Sequence, residues 1–270
     1  MASHDDERYL HGHHESVLRS HSWRTAENSA AYLIPHLAPG LDVLDVGSGP
    51  GTITLDLARL VAPGHVIGVD ASAQVVANAN GLAADNDLHN LTFQTGDAYA
   101  LDFEDASFDV VHAHQVLQHL VDPVAALREF RRVLRPGGIL AARDADYGSP
   151  VWYPGLPGIA SWLRIYVDAA RTSGGEPLAG RRLKSWALQA GFDEVRASAS
   201  VWSFSADAER EWWGGSWAER STESDFAARA IEGGHATLAE LHEVSQAWRD
   251  WAVDHEGWFA LTHGEIIARV

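Results

Sequence analysis

A loop with three glycines at alternating positions is the part of the sequence best suited to bind a ligand. Between a short apolar run and a segment of helical spacing, the chain has DVGSGPG, with Asp45, Gly47, Gly49 and Gly51. Glycine is needed where the backbone takes a positive φ or where a ligand approaches the main chain closely. The helix amides after the loop favour an anionic or carboxylate group. The loop therefore predicts a site for a nucleotide-like ligand.

The spacing of these glycines distinguishes between two kinds of ligand. The dinucleotide fingerprint G-x-G-x-x-G would need glycines at positions 47, 49 and 52. Position 52 is Thr52, and the third glycine comes one residue early. A nicotinamide cofactor, and with it an oxidoreductase, is therefore disfavoured and remains only as an alternative.

Polar side chains also stand at the ends of other apolar runs. These residues are Asp70, Asp97, His114 and Asp144. In parallel sheets, ligands bind outside the carboxyl ends of the strands. We therefore expect these side chains at one edge of a sheet, beside the glycine loop.

Strand and helix patterns alternate over the first 150 residues. Such alternation implies a parallel sheet with right-handed crossovers. The N-terminal residues 15–37 are expected to form one or two helices. The predicted strands cover residues 41–47, 65–70, 91–97, 108–115 and 139–146.

After residue 150 the pattern is mainly helical. No long linker separates this part from the first, so we expect its helices to cover the sheet. Strands are predicted at 195–204 and 258–270. Helices are predicted at 157–172, 178–190, 206–232 and 235–254.

The order of motifs resembles that of the class I S-adenosylmethionine-dependent methyltransferases. DVGSGPG is similar to their acidic-x-G-x-G-x-G motif, and SFDVVHAHQVLQHLVDP and LREFRRVLRPGGIL resemble their fourth- and fifth-strand motifs. The resemblance implies that Asp70 binds both ribose hydroxyls and that Asp97 accepts a hydrogen bond from the adenine amine. The cofactor-binding residues it implies are Tyr9, Asp45, Gly47, Ser48, Gly49, Gly51, Asp70, Ala71, Gly96, Asp97, Ala98, His114 and Gln115.

Within that superfamily, the chain resembles the branch related to ubiquinone and menaquinone C-methyltransferases. This implies an α/β fold: a Rossmann-like seven-stranded sheet, mostly parallel with an antiparallel last strand, helices on both faces and a helical cap. The expected parts are an N-terminal helical lid (1–40), an S-adenosylmethionine-binding core (41–146) and a substrate-covering part of the same domain (147–270). The expected reaction is C-, O- or N-methylation of a small molecule by S-adenosyl-L-methionine. A protein that binds this cofactor without catalysis is the alternative.

Three residues are candidates to activate the methyl acceptor. His114 follows the fourth strand, where side chains face the expected methyl group, and Tyr147 follows the fifth. His14, with Tyr9, precedes the first helix, in a segment that in relatives folds over the cofactor. A histidine can act as a general base near neutral pH. Two plainer interpretations stay open: a solvated N-terminal tail, and Asp45 as a structural acid that organises the loop.

Composition limits the partners of the chain. Acidic residues outnumber basic ones 37 to 20, for a formal charge of −17, which disfavours nucleic acids and anionic membranes. The absence of cysteine excludes a thiolate nucleophile, and no metal site is expected. Ten of the eleven tryptophans follow residue 150, which favours an apolar or aromatic acceptor, although each is more often a core residue. We expect a cytoplasmic monomer or homodimer.

Overall fold

The computed structural model describes residues 23–270, and a five-stranded parallel sheet lies at its centre. The strands lie in the order β3-β2-β1-β4-β5 and run parallel. The central strands are apolar and buried on both faces, as expected for a sheet covered by helices on each side. Their bounds are β1 (Val43–Val46), β2 (Val66–Asp70), β3 (Leu91–Thr95), β4 (Phe108–His114) and β5 (Leu134–Ala145).

Three later strands complete the sheet beyond β5: β6 (Val151–Tyr153), β7 (Glu194–Phe204) and β8 (Trp258–Arg269). β8 runs antiparallel to β5 on one side and to β7 on the other. The sequence prediction of a mostly parallel sheet with an antiparallel last strand is confirmed. The short β6, which pairs with the first residues of β8, is an eighth strand that the prediction lacked. Three residues are too few to show a strand period.

Helices cover both faces of the sheet. One face carries α1 (Ala26–Ser29), α2 (Thr52–Val61) and α3 (Ala73–Asp85). The opposite face carries α4 (Pro123–Val133) and α6 (Leu183–Gln189). Side-chain caps fix where several of these helices begin, because the first amides of a helix have no partner within it. Ser72 accepts from the Val75 amide at the start of α3, and Asp122 from the Ala125 amide at the start of α4.

A helical cap with an aromatic core packs beside the antiparallel strands. It consists of α5 (Pro157–Thr172), α7 (Asp207–Glu223), α8 (Asp225–Glu232) and α9 (Leu238–Val253). Trp162 lies at its centre, with ring centroids 4.6 Å from Trp217 and 5.0 Å from Trp248. These tryptophans are fully buried and form the core of the cap. These three tryptophans are therefore core residues and do not line an acceptor pocket.

The described part of the N-terminal segment is less helical than its sequence predicts. Within 23–37, α1 is a single turn, followed by a 3₁₀ turn at Ile34–His36. Pro35 lies in that turn, and proline removes a backbone donor that a longer helix would need. Residues 1–22 lie outside the described part of the chain. Among the described helices, none combines the length and apolar character required to cross a bilayer.

Candidate active site

The glycine loop joins β1 to α2 at the carboxyl edge of the sheet. Gly47, Gly49 and Gly51 all have positive φ, at 70°, 55° and 87°. A Cβ added at Gly47 would clash with the Val116 side chain, and one at Gly51 would come within 2.5 Å of the Phe93 ring. The amides of Gly47 and Ser48 donate to the carbonyl of Val69 at 2.7 and 3.0 Å. The loop is therefore fixed against β2, with a conformation and spacing that require glycine.

Asp70 ends β2 and reaches back to the glycine loop. Its carboxylate accepts from the Gly49 amide at 3.0 Å through one oxygen and from the Ser72 amide at 2.9 Å through the other. A carboxylate offers about four lone-pair positions, so each oxygen keeps capacity for one more donor. The half-buried carboxylate thus fits a ligand with two adjacent hydroxyl groups.

Asp45 is buried, and both of its oxygens have partners inside the protein. The Thr54 hydroxyl donates to one oxygen at 2.6 Å, and the other lies 2.7 Å from Nδ1 of His112. These contacts tie the end of β1 to α2 and β4. The geometry favours the loop-organising role of Asp45 over direct contact with a ligand.

The Gly96-Asp97-Ala98 segment follows β3 close to Asp70. The Gly96 amide donates to the Asp70 carbonyl at 3.1 Å. Asp97 is exposed, and its carboxylate accepts from the Tyr99 amide at 2.8 Å, which fixes a tight turn. Ala71 is exposed beside Asp70. The segment therefore borders the same edge of the sheet as the glycine loop, as expected from the sequence.

His114 and Gln115 end β4 at the same edge. His114 is buried, and neither ring nitrogen has a hydrogen-bond partner within residues 23–270. Burial, with the nearby Arg24 and Arg143, holds the pKa of His114 well below its ordinary value. Gln115 has a φ of 55°, which is uncommon for a residue with a side chain. Its side chain accepts from Arg24 at 2.7 Å and lies 2.9 Å from Nε2 of His263.

Tyr147, the candidate after β5, lies in the aromatic core of the cap. Its ring centroid is 4.1 Å from that of Tyr166, and its amide donates to the Pro177 carbonyl at 2.9 Å. Burial raises the pKa of the Tyr147 phenol, against an opposing contribution from a hydrogen bond with Tyr166. The two N-terminal candidates, Tyr9 and His14, lie outside the described residues.

The structure also brings together residues that the sequence did not single out. Arg143 on β5 and His263 on β8 are fully buried beside His114, and Trp202 on β7 packs over both Arg143 and His263. The sequence holds one signal of this group: Arg143 is a charged residue inside the apolar run ILAARDAD. Its neighbours come from strands far along the chain, so the sequence alone could not group them.

The fold and the position of the loop define a class of protein. A parallel sheet in the order β3-β2-β1-β4-β5, an antiparallel strand beyond β5 and a glycine loop after β1 are features of a Rossmann-like methyltransferase. A family model described as a methyltransferase domain matches residues 37–172.

Comparison with individual proteins supports the same class. The chain is 34% identical over 271 residues to an uncharacterized methyltransferase of Schizosaccharomyces pombe, covering 96% of this chain and 95% of the relative. It is 35% identical over 128 residues to a demethylmenaquinone methyltransferase of Listeria monocytogenes, covering 47% and 50%. The fold is similar to the YcgJ protein of Bacillus subtilis, with a TM-score of 0.60, 22% identity and coverage of 90% and 98%. The chain belongs to the class I S-adenosylmethionine-dependent methyltransferases.

Proposed function

We propose that this methyltransferase methylates a small apolar or aromatic molecule, at carbon, oxygen or nitrogen, by in-line displacement. One observation carries the proposal: the glycine loop, Asp70 and His114 meet at the carboxyl edge of β1, β2 and β4. The cofactor supplies a methyl group on a positively charged sulfur, already activated for attack. The chain has only to bind the two reactants, align them and exclude water. Alignment alone can lower the activation free energy by about 7–11 kcal/mol.

The residues of this edge fit the cofactor. The loop glycines take positive φ, and their packing leaves no room for a Cβ at Gly47, against Val116, or at Gly51, against Phe93. The main chain itself therefore borders this edge of the sheet. We assign the ribose hydroxyls to Asp70, which keeps free lone pairs, and the adenine end to the segment from Gly96 to Ala98. The remaining proposed contacts are Tyr9, Ser48, Gly49, Gly51, Ala71, His114 and Gln115, with Asp45 acting through the loop.

The acceptor is assigned to the side of the sheet next to His114. The aromatic ring of Trp202 lies 5.8 Å from the His114 ring, between centroids, and supports an acceptor with an apolar or aromatic body. His114, Tyr147 and His14 remain the candidates for contact with the acceptor. The formal charge of −17 argues against a nucleic acid in this role, because it repels a phosphate backbone.

Thermal unfolding with S-adenosylhomocysteine, S-adenosylmethionine or NAD tests the cofactor site. The first two are expected to raise the unfolding temperature, because a ligand at about 100 times its Kd adds roughly 2.7 kcal/mol of stability. Asp70→Ala leaves the ribose hydroxyls unpaired and is expected to weaken binding by about 1–3 kcal/mol. Asp70→Asn is the matched variant, since it keeps an oxygen for the Gly49 amide.

Two outcomes would support the alternatives. A response to NAD alone would support an oxidoreductase and contradict the cofactor assignment. Stabilisation by S-adenosylmethionine, without a methylated product from any member of a panel of aromatic and apolar acceptors, would support a non-catalytic binding protein.

A further inference from the structure

A group of buried side chains lies on one face of the sheet, beyond the glycine loop. It consists of His114, Arg143, Trp202 and His263, and we call it the acceptor-side cluster. Strand register brings the two histidines to Arg143. His114 pairs with Arg143, and His263 pairs with Ala145, which is two residues from Arg143 and on the same face of the sheet. The Trp202 ring closes the group, 4.3 Å from the His263 ring and 4.8 Å from the Arg143 guanidinium carbon.

The cluster contains buried polar atoms that lack partners. Within the described part of the chain, both ring nitrogens of His114 and Nη1 of Arg143 accept or donate no hydrogen bond. Leaving such a group unsatisfied costs about 1–3 kcal/mol, and most buried polar groups of native proteins have a partner in the protein, in ordered water or in a bound ion. A guanidinium can only donate, and a neutral imidazole donates from one nitrogen. A ligand that completes this cluster must therefore offer an acceptor oxygen.

The charges near the cluster favour a negatively charged oxygen. Arg143 and Arg24 both lie against the Trp202 ring. Glu265 is the carboxylate next to Arg143, at 3.3 Å from its Nε, and the hydroxyls of Ser198 and Ser200 also donate to it. These contacts occupy Glu265 and leave Nη1 of Arg143 available. Other titratable groups lie near the cluster. Tyr32 and Asp144 interact electrostatically with Arg143, His112 interacts with His114, and Asp45 contacts His112.

We propose that the acceptor-side cluster binds the methyl acceptor through an acidic hydroxyl on an unsaturated carbon, as in a phenol or an enol, and holds it as the oxyanion beside Arg143. This inference rests on the proposed function and narrows its substrate class. Trp202 forms the wall against the unsaturated part of the acceptor. His114 acts as a neutral hydrogen-bond donor to the oxygen.

The surroundings of His114 explain why it is assigned as a donor and not as the base. Burial and the neighbouring arginines lower its pKa, which makes the imidazole a poor proton acceptor. The same positive charges lower the free energy of an acceptor oxyanion directly. The hydroxyl proton then leaves to solvent as the acceptor binds. The electron pair of the oxyanion, at oxygen or at the conjugated carbon, forms the bond to the methyl carbon, and the carbon–sulfur pair stays on sulfur.

The probe for this proposal is 4-nitrophenol, whose visible absorption band reports its ionisation. Bound to the full-length protein, it is expected to ionise at a pH at least one unit lower than in free solution, a shift of about tenfold in its acid constant. 4-Nitroanisole, the neutral methyl ether of the same ring, is expected to bind at least tenfold more weakly.

Two double variants locate the effect. Arg143→Met with Glu265→Gln removes the buried pair together, so that no charge is left unpaired, and is expected to abolish the ionisation shift. The matched control is Arg210→Met with Asp207→Asn, a buried arginine and its aspartate in the cap, which is expected to keep the shift. Stabilisation by S-adenosylhomocysteine reports, for each variant, that the fold and cofactor site are intact.

Four results would overturn the proposal: no ionisation shift in the wild type, a shift that survives without Arg143, equal binding of 4-nitroanisole, or tight binding of benzoate with no shift for the phenol. The proposed function fails separately, if S-adenosylhomocysteine and S-adenosylmethionine do not stabilise the wild type.

Discussion

Asp45 and Asp70 stand at the carboxyl ends of neighbouring strands, yet their carboxylates have different surroundings. Asp45 is 3% exposed, and its partners are side chains, Thr54 and His112. Asp70 is half-buried, and its partners are two main-chain amides, of Gly49 in the glycine loop and of Ser72. A carboxylate whose partners are fixed inside the protein organises structure, whereas one with spare acceptor capacity at an opening can bind a ligand. The same residue type therefore stands in two different environments at this edge.

Asp144 shows the cost of burying a carboxylate without a full set of partners. One of its oxygens accepts from the Gln118 amide at 3.1 Å, and the other has no partner within residues 23–270. Burial raises the pKa of Asp144 from 3.8 to about 8. The folded state therefore holds this proton more tightly than the unfolded chain does. The contribution of protonated Asp144 to the unfolding free energy is therefore fully present below pH 4 and is lost as the pH rises towards 8.

We expect Asp144→Asn to remove this pH dependence. The amide oxygen can still accept from Gln118, and the side chain no longer ionises. Between pH 6.5 and 8 the wild type should lose up to about 1.4 kcal/mol of unfolding free energy per pH unit, and the variant should lose much less. Urea unfolding at fixed salt measures both.

The exposed Asp102 provides the control for this measurement. Asp102→Asn is expected to follow the wild-type profile, because its carboxylate is solvated in both states. Equal slopes for wild type and Asp144→Asn would contradict the assignment of the proton to Asp144.

The sequence predicted the position in the fold of those candidate residues that depend on local order. Asp70 and His114 each end a strand, and a strand end can be predicted where an apolar run gives way to polar residues. The role of Arg143 could not be predicted, since Glu265 lies 122 positions along the chain. Whether a charged residue in an apolar strand is paired, and on which face, depends on the register of β8 against β5.

At the scale of elements, the long periodic segments were predicted well. The helix expected at 157–172 has those bounds in the structure, and the strands of the first 150 residues occur in the predicted order. The helix expected at 206–232 is divided, because Ser224 caps a new helix after α7 ends. The sequence could not show that the tryptophans form the core of the cap. A tryptophan in a core and one in a binding pocket occur at the same apolar positions of a helix or strand.

The turn between β1 and α2 provides a test of the glycine loop as an element. Gly51→Ala places a Cβ in the left-handed region, at a cost of roughly 1–2 kcal/mol, and against Phe93, at roughly 1–3 kcal/mol more. Gly40→Ala is the matched control, since Gly40 has a φ of 93° and nothing within 4 Å of an added Cβ. We expect Gly51→Ala to be the more destabilising of the two in urea unfolding, and to weaken binding of S-adenosylhomocysteine.

The contact with Phe93 can be isolated with a double variant. Gly51→Ala with Phe93→Leu should be less destabilising than the sum of the single changes, since the shorter side chain relieves the clash. Strict additivity, or equal stabilities for Gly51→Ala and Gly40→Ala, would show that the ring does not constrain the loop.

At the scale of the whole molecule, the formal charge of −17 and the buried Arg143 of the acceptor-side cluster have opposite signs. Surface charges are screened beyond about 8 Å at 0.15 M salt, whereas buried charges are screened much less. On the proposal above, an anionic acceptor is repelled weakly at a distance and attracted by Arg143 once it is bound. We expect its association rate to rise with salt and its dissociation rate to change little, as stopped-flow measurements of 4-nitrophenol at pH 8 would show.

Three histidines and Asp144 together predict the pH at which the protein is most stable. Burial keeps the pKa of His114 and of His263 well below 6.5 and lowers that of His119 to about 3. The unfolded chain thus binds these protons more tightly, so stability is lost as the pH falls below 6.5, while Asp144 removes stability above it. At 0.15 M salt we expect a maximum near pH 6.5 and an acid limb of up to about 2.7 kcal/mol per pH unit, from three protons against one. His119→Gln should lower that slope by about half, and His89→Gln, at an exposed position, should leave it unchanged. A maximum above pH 8, or equal acid limbs for wild type and His119→Gln, would contradict the assignment of these protons.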